Sequence, residues 1–216
     1  MGFNMSWILV DEIDQDALLA ALDLVPTGET PDRYDLGTSH VPLAAVTFNS
    51  GWCAAFAKYA LILDATLGTE PPRLARLPAK SRAITCVTLE HANVSYASLW
   101  SGGRHIWQIK HDPRYGAEHL ETSGDLPTDF SSIHDIALRK QRADSATRQP
   151  GGWGVDHIFD VPLDTAATIT GFRHDRAIRE DAFRTLQSLA PADGKALTKL
   201  GHPPKWWQMV GSIEYR

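Results

Sequence analysis

The chain holds 216 residues, 43% of them hydrophobic and 22% charged, with seven tryptophans and a formal net charge of −5. That much apolar surface with so little self-repulsion excludes a disordered chain and supports one substantial core. No run approaches the ~18 consecutive apolar residues of a membrane span, and the first residues lack the basic segment and long apolar run of a secretory signal. A cytoplasmic protein without membrane partners is therefore expected, and a 2:1 excess of arginine over lysine fits a bacterial source.

Residues 7–10 read as a strand. Asp14 then fits a helix N-cap, with Asp16 in the first turn and Leu18, Leu22 and Val25 at helical spacing before Pro26 closes the segment. The same region is strongly acidic: Asp11, Glu12, Asp14, Asp16, Asp23, Glu29, Asp32 and Asp35 stand against Arg33 alone. A solvated face is the ordinary role of such a run. The functional role is a docking surface for a basic protein, with Asp14, Asp16 and Asp23 as contacts. Nucleic acid is a poor partner for it. The opposite run, Arg73, Arg76, Lys80 and Arg82, reads as a solvated, proline-containing loop.

Residues 41–48 and 52–59 read as strands around the turn sequence Asn49-Ser50-Gly51, with a short helix around Ala54 and Ala57 as the alternative for the second. Cys53 and Cys86 lie in apolar runs, so buried free thiols are expected and cysteine-based metal binding is not. Residues 84–90 lead into a hairpin over 94–111, where Gly102-Gly103 suits a primed two-residue turn. With Trp100 facing His105, strict alternation pairs Ser98 with Trp107, Tyr96 with Ile109 and Val94 with His111. One face then carries two tryptophans, a tyrosine and two histidines. A further strand follows at 119–122.

Thr128 caps a helix whose stripe, Phe130, Ile133, Ile136 and Ala137, is expected to lie on the sheet. The loop 144–154 contains Pro150-Gly151-Gly152-Trp153-Gly154 and is the candidate weak boundary within a single domain spanning 1–216. Residues 155–161 alternate as a strand, Pro162 and Asp164 open a short helix closed by Gly171, and Ile178, Ala182, Leu186 and Leu189 fall at helical spacing. Residues 206–213 read as a last strand.

The chain lacks the nucleophile elbow, the phosphate-binding and dinucleotide-binding glycine loops and the His-Glu-x-x-His zinc motif. Four histidines adjoin acids, at Glu90-His91, His111-Asp112, Asp156-His157 and His174-Asp175, but strand neighbours point to opposite faces. His105 and His111 share a face roughly 20 Å apart, too far to act on one proton or metal. His111 and Asp112, at a strand end, are the catalytic candidates for an enzyme. No cofactor or metal is implied. Trp107 and Trp207, the latter beside Trp206, are candidate aromatic contacts with a partner.

The expected fold is α+β: a twisted, mostly antiparallel sheet of six to eight strands with three or four helices packed mainly on one face. The expected function is protein–protein binding, specifically an immunity-type protein that neutralises a bacterial toxin by occlusion. The alternative is a hydrolase with a dispersed His/Asp/Glu site. A third reading is a subunit of a homo-oligomer with a structural role.

Overall fold

The computed structural model describes residues 4–30, 43–58, 73–147, 154–176 and 183–192. Strand β1 (Asn4–Val10) sends Met5, Trp7 and Leu9 to one face and Ser6, Ile8 and Val10 to the other, and all six are buried. Because the strand is buried, the backbone N–H and C=O groups along both its edges need partners. They are β4 (Cys53–Lys58) and β5 (Arg82–Leu89), both antiparallel to it. β2 (Leu24–Pro26), β3 (Leu43–Phe48), β6 (Val94–Ser101), β7 (Arg104–His111), β8 (Glu121–Gly124) and β9 (Phe183–Pro191) complete a nine-stranded antiparallel sheet, in the order β2-β9-β3-β4-β1-β5-β6-β7-β8.

Among the described residues three α-helices accompany it: α1 (Gln15–Ala21), α2 (Phe130–Thr147) and α3 (Asp160–Thr170). On one face α1 packs Leu18, Leu19 and Leu22 with Ile8, Val10, Leu74, Leu77 and Trp100. On the other, Leu163 and Ala166 of α3, with Phe172 just beyond it, cover Trp7, Phe48, Phe56 and Trp107. Helix α2 forms an outer layer on α3 through Ala137, Ile158 and Val161. The stripe of α2 expected on the sheet instead faces α3, which covers that face of the sheet because it carries more buried side chains. No described helix is long and apolar enough to cross a membrane.

The α+β arrangement is the expected one, with nine strands in place of six to eight. The additional strands, β2 and β9, come from segments whose leucine spacing suggested helix. Asp23 takes a left-handed φ of 55°, which ends α1 and frees residues 24–26 to pair with β9. Residues 183–191 satisfy their backbone against β3 and β2; three-residue spacing of apolar side chains does not by itself exclude a strand. Residues 155–161 form no strand, and the last two, Asp160 and Val161, begin α3. The expected last strand, 206–213, lies outside the described residues.

The hairpin register also differs. Gly102 and Gly103 take φ of 56° and 73°, as a primed turn requires, and Trp100 faces His105. A β-bulge then shifts the ladder, so that Leu99 meets Trp107, Ala97 meets Ile109 and Ser95 meets His111. Ile106 is the extra residue. Its carbonyl accepts the N–H of Asp125 at 3.0 Å. One inserted residue sends Trp107, Ile109 and His111 to the face opposite Trp100, and the single aromatic face dissolves.

Candidate functional site

The bulge delivers His111 to the α3 side of the sheet, where it is fully buried. Its Nδ1 lies 2.7 Å from the His119 carbonyl and must donate, because a carbonyl oxygen only accepts. Its Nε2 lies 2.9 Å from a carboxylate oxygen of Asp156, whose other oxygen accepts the N–H of Phe159 at 3.2 Å. Ser95, opposite His111, donates to the Phe159 carbonyl at 2.6 Å. These bonds clip the end of β7 to the segment that opens α3. Both ring nitrogens are occupied and no surface of the ring is open to a substrate.

Asp112 is equally enclosed. It accepts from the Arg114 backbone N–H at 3.1 Å and the guanidinium Nε at 2.8 Å, and those bonds hold its carboxyl below the usual range. Its backbone N–H donates to Nδ1 of His119, which leaves the His119 Nε2–H to donate to Glu121 at 3.1 Å. His111 and Asp112 therefore meet at His119, one through its carbonyl and the other through its ring, but their side chains do not touch each other. Asp156, His119 and Glu121 were missed by sequence reasoning, because His111 and Asp156 are 45 residues apart.

Three residues of the acidic front are matched by the basic run. Asp23 pairs with Arg73 at 2.8 Å and Arg76 at 3.0 Å, Asp11 with Arg82 at 2.6 Å, and Glu12 with Lys80 at 3.7 Å. The run read as a solvated loop is the counter-charge. Asp14 caps α1, accepting the Ala17 N–H at 2.7 Å, and Asp16 is exposed in the first turn. Trp107 is 1% exposed in the core beneath α3, so it offers no contact surface; the bulge that turned it inward is the reason. Trp207 lies outside the described residues. Both cysteines are free and buried, and burial pushes both thiols up, which keeps them protonated.

An open concavity among the described residues lies elsewhere, between α2 and α3. It has a volume of about 400 Å³. Ile133, Ile136, Ala137 and Lys140 form one wall at successive turns of α2, and Asp160, Asp164, Ala167 and Thr168 form the other on α3; His157 and Arg176 complete the lining. Ile136 is 44% exposed. Behind the α3 wall, buried Arg173 pairs with Asp160 and Asp164 and reaches Asp175 at 2.9 Å. Burial works against its charge, and the Asp160 and Asp164 carboxylates more than restore it.

At one end of the groove His157 Nε2 lies 2.7 Å from Asp144, and the His157 backbone N–H donates to the Gln141 side chain at 2.8 Å. Adjacent Asp156 and His157 thus turn in opposite directions, one to the sheet and one to α2. The Asp160/Asp164 spacing of one helical turn was a legible signal for this wall, but only once the segment is known to be helical. His174, packed 5.2 Å from the Trp7 ring and 3.5 Å from Glu90, is held below the usual imidazole range chiefly by burial. Among the described residues no group of three or more His, Cys, Asp or Glu is placed to hold a metal ion. No family model, curated protein or solved structure matches the chain.

Proposed function

We propose that the chain is a protein-binding module and that its docking surface is the groove between α2 and α3. The observation that carries this is half-exposed Ile136 at the lip of a concavity with an apolar wall on α2 and carboxylates on α3. A groove between two helices receives a ridge of side chains from another chain, with an apolar anchor at its centre and charges at its rim. The candidate catalytic pair, by contrast, is spent on internal bonds. The finer reading is an immunity-type protein that occludes a toxin; the acidic run supports a basic partner, though Asp11, Glu12 and Asp23 already hold cations.

The test is co-purification with cross-linking and mass spectrometry on the parent, Ile136→Arg and Asp16→Asn. A partner held by the parent and by Asp16→Asn but lost by Ile136→Arg supports the groove. A partner lost only by Asp16→Asn moves docking to the acidic face and overturns the assignment. The hydrolase reading is favoured by one observation, the His157–Asp144 pair in the groove; an ester or phosphodiester turned over by the parent and not by His157→Ala would establish it in place of binding.

A further inference from the structure

We infer that the segment opening α3 is fastened to the sheet by one buried proton, held between His111 and Asp156, and that loss of this proton releases the segment. The inference goes beyond protein binding and holds whatever the groove receives. His111 is fully buried, with Nδ1 2.7 Å from the His119 carbonyl and Nε2 2.9 Å from the Asp156 carboxylate. A carbonyl and an ionised carboxylate only accept, so both ring nitrogens have to donate. A neutral imidazole has a single N–H. With Nδ1 committed to the carbonyl, a bare Nε2 would face the carboxylate lone pair against lone pair, and Asp156 would be a largely buried charge without a cation. The ring is therefore an imidazolium: imidazole is ordinarily a stronger base than an aspartate carboxylate by about 2.6 pH units, and the other Asp156 oxygen already accepts from Phe159.

The neighbouring histidines are built differently. His119 accepts the Asp112 N–H at Nδ1 and donates from Nε2 to Glu121, which a neutral ring satisfies. His157 meets one carboxylate, Asp144, through Nε2 alone, and a neutral ring serves that too. The other charges on the elements around His111 are matched without it: Asp112 by Arg114 and Glu121 by Lys110. Among the described residues His111 is the basic partner of Asp156. Ser95 adds a second, uncharged tie to the same segment through the Phe159 carbonyl. The clip is whole while the pair keeps its proton and fails as the pH rises past the point of release. Ile158 and Val161 of the freed stretch pack on Ala137 of α2, and His157 lines the groove, so slack at Asp156 reaches the groove wall.

Hydrogen exchange of the full chain from about pH 6 to about pH 9, corrected for base catalysis, tests this across the range in which an ordinary imidazole is neutral. In the parent, opening over residues 156–163 should rise by about tenfold for each pH unit past proton release, while β1 and β5 stay protected. Asp156→Asn is the informative variant. Its side-chain N–H donates to Nε2, so a neutral His111 keeps the clip and the pH dependence of that stretch should vanish. A heteronuclear NMR spectrum of the imidazole nitrogens in the parent reads the proton itself: both His111 nitrogens should carry hydrogen while the clip is closed, and this decides the matter even if the variant does not fold. A single protonated nitrogen in the closed state overturns the inference. Exchange over 156–163 that ignores pH in the parent, or that follows pH equally in Asp156→Asn, overturns it as well.

Discussion

Replacing Gly124 with alanine probes the bulge that separates the two tryptophans. Gly124 has φ +79°, and a Cβ built there would lie 2.0 Å from the Ile106 carbonyl oxygen and 2.9 Å from the Trp107 Cα. The left-handed conformation costs alanine about 1 kcal/mol. The clash is with backbone, so it is relieved only by moving β8 away from the bulge. That breaks the Asp125 N–H bond to Ile106, worth about 1 kcal/mol, and strains the neighbouring ladder, for a total of about 2–4 kcal/mol. In a chain of this size each kcal/mol lowers the midpoint by about 2–4 °C, so circular dichroism should show a drop of about 5–15 °C. Gly171 supplies the control: its φ is +70° but nothing lies within 4 Å of its Cβ position, so Gly171→Ala carries the conformational cost alone. If Gly124→Ala melts with Gly171→Ala or with the parent, the close approach of β8 to the bulge is wrong.

Trp107→Ala should destabilise by about 3–5 kcal/mol in denaturant titration, as expected of a large buried side chain; a loss below ~1 kcal/mol would return Trp107 to the surface. Asp156→Ala should leave the buried His111 Nε2 without its carboxylate and cost about 1–3 kcal/mol, with hydrogen exchange rising first at the start of α3; uniform exchange would contradict a local clip. Lowering the pH should expose His174. Its folded pKa is depressed from 6.5, so its stabilising contribution is whole above pH 6.5 and declines as the pH falls toward the depressed value. His174→Gln should flatten the stability profile in that window, and an unchanged slope would refute the assignment. Asp112, held low by Arg114, acts below its usual 3.8 in the same direction: Asp112→Asn should remove part of the stability lost on acidification there. Asp23→Asn should lower the melting temperature while Asp16→Asn does not, because only Asp23 carries ion pairs.

The amino-acid sequence by itself determined the strong local preferences. The Asp14 cap, the Gly102-Gly103 turn, the Gly171 stop and the strand cores around residues 7–10, 53–58 and 84–89 follow from side chains and backbones acting over a few residues. They suffice for an antiparallel α+β chain. Only the tertiary structure decided the remainder, since those choices depend on groups distant along the chain. The bulge at Ile106 is bonded by Asp125 and hemmed by Gly124, and a one-residue slip there exchanged the faces of Trp107 and His111. Strand β9 had ambiguous spacing and became a strand because β3 and β2 offered unpaired edges. The acidic front found its counter-charge some 50 to 71 residues away. The groove exists because α2 packs on α3 across a segment whose composition suggested a boundary, and no pattern local to either helix records which faces meet.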